Sequence, residues 1–449
     1  MTSKILYQQF FAGIRWNAIE TIIFSLIFLT HQFFLFKTLG GALYGLVGTL
    51  FASLYLVVKV ANFGLDKSLG TLFSDLSKDK NLFRSVITKQ LRIQLAIFFV
   101  LSIIIFSIKL IDASIFKILS SVEYTMLAIL LAILVVEGVK KTVRMLLQLA
   151  FLNKQAAFVE LGVTTFYFIV VWGLYLLGYS LLLVTIFVPF LVFSVLSTAC
   201  MMRYLHVWYQ TLPEGRNHEK AHKTPKTYFL KNRFFNTFND LGSRIFTGNF
   251  LVVIAAYKFG MEYAAFIKLA TSLFDTVSIV IYKTFGWTSY ALFAHMKSEQ
   301  LDHKKKAFSR AAQMMVQVLY GLLLFTCINY QKIATLKKVG NTEILTLCVL
   351  YAIGYLISIY EQFYVTQDSA GYLLIFNSLS LFLCGAVVYF GSTISTTELL
   401  LSFCVIRLIV LAAISIVSFY LWGIKSTWSV RPMPIIGSLT AALFFFAVV

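Results

Sequence analysis

About a dozen apolar stretches, each long enough to cross a membrane as a helix, fill most of this chain. A helix needs roughly 20 apolar residues to span a bilayer. Of the 449 residues, 59% are hydrophobic and 13% are charged, whereas a soluble domain has about 25% charged residues. Backbone polar groups in hydrocarbon need internal partners, which favours helices. The sequence therefore predicts an all-α polytopic membrane protein.

The apolar stretches form two sets of six, separated by the longest polar connection, and a shorter apolar tail ends the chain. The predicted spans are 12–37, 42–63, 86–109, 115–137, 156–178, 180–203, 229–256, 261–285, 308–330, 342–365, 371–390 and 397–423. The predicted domains are a six-helix lobe (1–203), a cytoplasmic linker (204–228), a second six-helix lobe (229–424), and a basic linker with a short hydrophobic tail (425–449). Whether residues 435–449 cross the membrane stays open.

Basic residues indicate the orientation of the spans. Clusters of Lys and Arg lie at 78–92, 140–154, 216–233 and 297–310, whereas the alternate connections hold scattered lysines such as Lys37. Cytoplasmic loops carry the excess of Lys and Arg in membrane proteins. Both termini are therefore expected in the cytoplasm. The same clusters account for the net charge of +19, so we expect no nucleic-acid partner.

The two predicted lobes show signs of an internal repeat. Adding 220 to a residue number in the first lobe places Glu20 on Asp240 and Gly40 on Gly260. Polar side chains follow one helical face of span two and one face of span eight, with similar phase. Two related helical bundles are common in transporters. The pattern favours a transport protein.

Charged residues inside the spans are the candidate functional site. A charge at the bilayer centre costs on the order of 3 kcal/mol, and such residues usually face a bundle interior or a water-filled path. The candidate substrate-binding cations are Lys59, Arg244, Lys268, Arg407 and Arg15. The candidate carriers of a coupling ion or proton are Glu20, Asp240 and Asp275.

Structural roles compete with these functional ones. Asp240 and Arg244 are four residues apart, so they form either a self-neutralised pair or an anion site held by its own carboxylate. Glu20 either carries a proton or pairs with Arg15 or Lys59. Arg15 lies near the cytoplasmic end of span one, where it can reach lipid headgroups. These alternatives stay open.

Neither an enzyme nor a cofactor-binding protein is indicated. The five cysteines lie in or beside apolar stretches without Cys-x-x-Cys spacing, which is typical of packing residues. No Gly-x-x-x-x-Gly-Lys-Ser/Thr run and no large extramembrane segment is present. We therefore expect no catalytic residue, no metal site and no cofactor.

Three short motifs resemble those of polysaccharide and O-antigen flippases, which belong to the multidrug/oligosaccharidyl-lipid/polysaccharide exporter superfamily. Residues 39–46 (LGGALYGL) resemble the turn between spans one and two in that family, and residues 62–69 (NFGLDKSL) resemble the segment that ends span two. Residues 144–158 are similar to the cytoplasmic start of span five. The resemblance extends over the whole chain in layout.

The resemblance implies a MATE-like fold of two six-helix lobes around a central cavity, with alternating access. The implied cargo is a polyprenyl-diphosphate-linked oligosaccharide, carried across a bacterial cytoplasmic (inner) membrane for surface polysaccharide such as O-antigen or lipopolysaccharide. Expected partners are this glycan, membrane lipids and a polysaccharide polymerase or ligase, and the chain is expected to be a monomer.

Two alternatives remain beside the flippase. A drug or organic-cation antiporter of the same superfamily would use the acidic residues Glu20, Asp240 and Asp275. A membrane-embedded glycosyltransferase or ligase would need a sizeable outer loop, and none is predicted.

Overall fold

A computed structural model of the protein describes residues 3–65, 68, 69, 73, 76–111, 122–214, 233–237, 247–281, 305, 308, 309, 320, 321, 323–333, 340–366, 370–391 and 394–423. All the regular secondary structure of these residues is helical. The predicted all-α membrane class is confirmed. Seven of the described helices are long and apolar enough to cross a membrane.

The longer helices are labelled here in chain order. They are α1 (Ser3–Ala61), α2 (Lys80–Ile111), α3 (Tyr124–Leu149), α4 (Asn153–Leu176), α5 (Leu183–Gln210), α6 (Gly248–Phe259), α7 (Met261–Ile281), α8 (Asn341–Thr366), α9 (Ala370–Phe390) and α10 (Thr396–Trp422). The ends of α8, α9 and α10 lie within one residue of their predicted positions. α5 continues to Gln210, so its helix runs past the predicted boundary at 203 into the expected linker.

Helix α1 is a hairpin of the predicted spans one and two. Gly40 interrupts it with φ 72° and ψ 173°, a conformation that residues with a Cβ rarely adopt. The Tyr44 hydroxyl donates a hydrogen bond to Gln32 Oε1 at 2.7 Å, although twelve residues of straight helix extend about 18 Å. The chain therefore folds back at Gly40.

The second half makes the same turn at the equivalent position. Gly260 has φ 93° and ψ 172° and separates α6 from α7. Its backbone angles are nearly those of Gly40, as the predicted repeat requires. Both halves thus begin with a helix, a glycine break and a returning helix.

In the structure, predicted span seven is not one continuous helix from 229 to 256. Residues 233–237 are helical, but α6 begins only at Gly248, after Thr247 adopts extended angles of φ −90° and ψ 157°. A helix that begins inside a membrane exposes backbone N–H groups at its first turn. This correction gives the second half a helix N-terminus within the predicted span.

The two halves contact each other where the returning half of α1 crosses α7. A Cβ on Gly45 would overlap the Met261 carbonyl oxygen, and a Cβ on Gly48 would lie 3.1 Å from Lys268 Cγ. Small residues permit such close approach between membrane helices. The glycine-rich start of span two therefore holds the halves together.

Large apolar side chains cover the outside of the helices. Phe99, Phe166, Phe382 and Tyr420 each have more than 60% of their surface exposed. A soluble protein rarely exposes such side chains over large continuous areas. The surface is that of a protein surrounded by lipid.

Candidate functional site

Lys268 lies on α7 at the contact between the two halves. Its side chain is 8% exposed, and its aliphatic stem lies over Gly48 of α1. Gly48 leaves room for the stem, because a Cβ at residue 48 would be 3.1 Å from Lys268 Cγ, closer than ordinary van der Waals contact. The packing of α1 thus positions the predicted cation between the halves.

Asp275 lies two turns further along α7 and has three polar neighbours. Its Oδ1 accepts a hydrogen bond from the Tyr351 hydroxyl of α8 at 2.6 Å. Its Oδ2 faces Gly248, the first residue of α6, where a Cβ would lie only 2.5 Å away. Lys268 is within electrostatic reach of the same carboxylate. A carboxylate is favourable at a helix N-terminus. Lys268 and Asp275 thus form one charged cluster in the second half, beside the start of α6.

Glu20 belongs to a separate ion cluster in the first half. Arg144 Nη2 donates to both carboxylate oxygens of Glu20, at 2.8 and 3.0 Å. Arg144 Nη1 also forms an ion pair with Glu160 of α4. Glu20 is 1% exposed. The expected salt bridge therefore forms, but its partner is Arg144 rather than Arg15 or Lys59.

The predicted spans leave Arg144 in a connection between helices, whereas the structure places it on α3. The predicted span ends at residue 137, whereas the helix runs to Leu149. Apolar residues at helical spacing, Val139, Val143 and Leu147, continue beyond the predicted end. That pattern was the available signal that Arg144 lies on a buried helix.

Arg233, near the start of predicted span seven, also lies inside the protein. Its side chain is 2% exposed. Its Nε donates to the Phe63 carbonyl at 2.9 Å, its Nη1 to Gln90 Oε1 at 2.7 Å, and its Nη2 to the Asn62 carbonyl at 3.4 Å. The two carbonyls directly follow the end of α1. A residue at the start of the second half therefore caps a helix of the first half.

Gly64 makes this contact possible. It has φ 62°, and a Cβ there would overlap the Arg233 carbonyl oxygen and lie 2.8 Å from Asn236 Cβ. Asn236 Nδ2 in turn donates to Ser68 Oγ at 3.2 Å. We call these five residues, Phe63, Gly64, Ser68, Arg233 and Asn236, the inner contact. It joins the halves at the predicted cytoplasmic end.

A buried polar network fixes the end of α1 to its own half. Gln94 Nε2 donates to Asn62 Oδ1 and, at 3.1 Å, to the Gly138 carbonyl. The Thr142 hydroxyl donates to Gln94 Oε1 at 3.1 Å. Because α1, α2 and α3 all take part, the acceptors of Arg233 are held in place by three helices.

Arg407 is buried within the second half, on α10. It is 3% exposed on α10, and its charged or ionisable neighbours are Glu361 of α8 and Cys384 of α9. These two neighbours lie on helices that pack beside α10 in the second half.

The remaining predicted residues have different environments. Lys59 is half-buried on the returning part of α1, and Arg15 is exposed near its start. Arg244 and Asp240 lie outside the described residues. The structure adds Glu137, which accepts a hydrogen bond from Ser194 Oγ at 2.6 Å. Its only sequence signal was an acidic residue at the end of a predicted span.

The described part of the chain contains no group of three or more His, Cys, Asp or Glu side chains placed to hold a metal ion. The same residues place a cation between the halves and engage the buried carboxylates with internal donors. The inner contact joins the halves through Arg233 and Asn236.

Comparison with known proteins gives the fold. No protein-family model matches the sequence, and no curated protein matches it. An outward-facing multidrug resistance MATE family transporter of the MOP superfamily superposes with a TM-score of 0.68 at 12% identity, over 99% of this chain and 97% of that one. A MATE transporter in complex with MaL6 gives 0.65 at 16% identity, over 97% of each chain.

A third solved structure is a MOP superfamily transporter from Pyrococcus furiosus, described as having a binding pocket of reverse polarity that suggests a different function. It superposes with a TM-score of 0.66 at 12% identity, over 98% of this chain and 96% of that one. All three similarities extend over nearly the full length of both chains. This protein therefore has the fold of the MATE family transporters.

Proposed function

We propose that the protein is a flippase that moves a polyprenyl-diphosphate-linked oligosaccharide across the cytoplasmic membrane of a bacterium by alternating access. The MATE fold supports a membrane exporter that works by alternating access. The finer assignment depends on the charges that the fold brings to the contact between its halves.

The buried position of Lys268 is the observation that carries the proposal. An ammonium group with 8% exposure between two helices is costly unless it is compensated. Asp275 compensates part of that cost within the same helix. A cation retained at this contact is suited to an anionic cargo, because a diphosphate is stabilised by charged donors when it leaves water.

The acidic residues fit an organic-cation cargo less well. Glu20 is held by Arg144, and Asp275 accepts from Tyr351 and faces the start of α6. An organic cation would have to displace these internal donors, at the cost of leaving them without acceptors. The pocket of reverse polarity in the Pyrococcus furiosus transporter is a precedent for a changed cargo on this fold.

In the proposed cycle, Lys268 and Lys59, with Arg244 and Arg407, attract the diphosphate from the cytoplasmic side. Glu20 then changes its proton or ion occupancy and its hold on Arg144, which lies at the predicted inner end. As the two halves rock between the inward-open and outward-open states, the inner contact breaks and forms again. The expected partners stay the lipid-linked glycan, membrane lipids and polymerase or ligase machinery, with the chain acting as a monomer.

The test is an export assay in cells depleted of the protein. Polyprenyl-diphosphate-linked glycan is quantified on the cytoplasmic side, and efflux of a cationic dye is measured in the same cells. Accumulated glycan with unchanged efflux supports the flippase. Complementation with Lys268→Gln is expected to fail and with Lys268→Arg to succeed in part, because the second variant keeps the charge. Lys37→Gln, at an exposed position of α1, is the matched control.

A cation-coupled antiporter of organic cations is the second candidate function. It is favoured by the first solved structure named above, which is a multidrug resistance transporter. Unchanged glycan together with lost dye efflux would overturn the flippase and favour this antiporter, with Glu20, Asp240 and Asp275 as the next residues to test.

A further inference from the structure

A cleft of about 510 Å³ lies between α6 and α9 of the second half. This volume is within the range of about 300–1,000 Å³ typical of small-ligand sites. The cleft is separate from the charged cluster around Lys268 and Asp275, and none of the predicted site residues lines it. It therefore needs its own explanation.

The walls of the cleft are apolar over most of their length. Phe250 and Ile254 line it from α6, and Leu381 and Val388 line it from α9. Gly385 opens the α9 wall, since a Cβ there would meet no atom within 4 Å. Such a surface, in a protein surrounded by lipid, is matched by a hydrocarbon chain.

One charged group lines the cleft. Lys258 is half-buried, and its ammonium donates a hydrogen bond to the Gly391 carbonyl at 2.6 Å. An ammonium has three N–H donors, so this bond leaves two for a ligand. Gly391 directly follows the end of α9, so the cation lies at the predicted outer end of the cleft.

Aromatic residues lie at the same depth in the membrane as Lys258. Tyr257 and Tyr389 line the cleft, and both are largely exposed. Tyrosine is enriched where hydrocarbon meets the headgroup layer. A ligand with its chain among the apolar walls would therefore place its head beside Lys258, at the depth of lipid phosphates.

Helix α6 connects this cleft with the charged cluster. Its first residue, Gly248, faces Asp275, and Lys258 lies ten residues further along, about 15 Å away at the rise of an α-helix. An anionic head that leaves the cluster toward the outer surface thus finds the next cation at the other end of the same helix.

We infer that this cleft is an outer-leaflet binding site for the polyprenyl phosphate end of the flipped lipid-linked cargo, with the isoprenoid chain between α6 and α9 and the first phosphate on Lys258. The inference rests on the proposed function, which it deepens by placing the intact cargo lipid on the outer side; polyprenyl phosphate serves as the probe for this end. The apolar walls select the chain, and the ammonium selects the anionic head. A zwitterionic phospholipid lacks the net charge that Lys258 complements.

The binding test uses the purified full-length protein with a polyprenyl phosphate that carries a photoreactive group in its chain. Labelled peptides are identified by mass spectrometry, and the expected sites are in α6 and α9. Lys258→Gln should weaken labelling about tenfold through loss of a charge-assisted hydrogen bond, while Lys258→Arg should keep most of it. Gly385→Leu fills the cleft and should abolish labelling.

The matched control for Gly385→Leu is Gly371→Leu on the same helix, where an added Cβ also meets no atom within 4 Å. It should label like the unchanged protein. Excess unlabelled polyprenyl phosphate should compete, whereas equal competition by phosphatidylglycerol would overturn the assignment to a polyprenyl carrier. Labelling of Gly385→Leu at the unchanged level would overturn the site itself.

The export assay separates failure of this inference from failure of the proposed function. If depletion causes no glycan to accumulate, the flippase is wrong. If glycan accumulates on depletion but Gly385→Leu both exports and labels normally, the flippase stands and only the cleft assignment is wrong. The expected result is slowed export by Gly385→Leu and normal export by Gly371→Leu.

Discussion

Arg233 donates a hydrogen bond from Nε to the carbonyl oxygen of Phe63 at 2.9 Å, across the contact between the two halves of the protein. Carbonyls at the end of a helix lack partners within that helix and carry partial negative charge. A buried guanidinium is well suited to them because its planar donors satisfy several acceptors at once. The inner ends of the halves are thus joined by an interaction that can form and break.

Replacing Arg233 with alanine is expected to separate the inner ends. The carbonyls of Asn62 and Phe63 and the side chain of Gln90 would each lose a donor, so water would replace it. Spin labels at the exposed positions Lys78 and Tyr420, with exposed Cys200 and Cys327 changed to serine, would report the separation as a longer distance.

The control for this experiment is Arg203→Ala, which removes an exposed arginine of α5. Its label distance should equal that of the unchanged protein. An unaltered distance in Arg233→Ala, in a protein that still elutes as a single species, would contradict the role of the inner contact.

Gly45→Ala is expected to destabilise the crossing of α1 and α7. The new Cβ would overlap the Met261 carbonyl oxygen, and backbone cannot move aside as a side chain can. Overpacking of this kind typically costs about 1–3 kcal/mol. Thermal unfolding in detergent would show a lowered Tm. Gly41→Ala is the matched control, because its nearest atom would be 3.8 Å away; equal Tm values for the two variants would refute the close approach.

Arg144→Gln is expected to be among the most damaging changes in the first half. It leaves the carboxylates of Glu20 and Glu160 without their shared counter-charge. Breaking a buried ion pair by removing one partner costs about 3–5 kcal/mol. Denaturation monitored by tryptophan fluorescence would measure the loss, with Arg203→Gln as the exposed control. Recovery of stability in the triple variant Glu20→Gln, Arg144→Gln and Glu160→Gln would assign the effect to uncompensated charge.

Two neighbouring tyrosines of α8 offer a direct comparison. The Tyr351 hydroxyl donates to the Asp275 carboxylate at 2.6 Å, whereas the Tyr355 hydroxyl donates to the Phe274 carbonyl at 3.0 Å. Hydrogen bonds to charged groups contribute about 1.5–3 kcal/mol and neutral ones about 0.5–1.5 kcal/mol. Tyr351→Phe should therefore destabilise the protein more than Tyr355→Phe in the same unfolding assay. The reverse order would show that Asp275 does not depend on the hydroxyl.

Much of the fold was predictable because the membrane restricts a chain to few solutions. Apolar length alone placed the ends of α8, α9 and α10 within one residue, and the paired glycines Gly40 and Gly260 were visible as a repeat. The start of α6 at Gly248 was not predicted, although Thr247, Gly248 and Asn249 interrupt the apolar sequence there. Such residues also occur inside continuous membrane helices, so the break depends on tertiary contacts. Hydropathy measures how apolar a segment is. It does not indicate where the helix backbone is interrupted.

The candidate site was predictable in kind but not in pairing. Charge inside a span identified Glu20, Lys268 and Asp275, yet the partner of Glu20 is Arg144, which is more than a hundred positions away. Arg144 and Arg233 stand in clusters of basic residues, where sequence alone cannot distinguish a buried guanidinium from an exposed one. Their roles depend on which helix faces which, and only the packed structure contains that information.

Gly48 and Lys268 occupy equivalent places in the two repeats and also contact each other. A position that meets its own counterpart lies on the pseudo-two-fold axis, where two identical halves would present the same residue twice. Two lysines would repel there, and two glycines would leave a gap and no charge. A glycine opposite a lysine avoids both problems, so a position on the axis favours two different residues. Two identical halves would lack this arrangement, so a lysine that packs on a glycine at this crossing requires the two halves to be unequal.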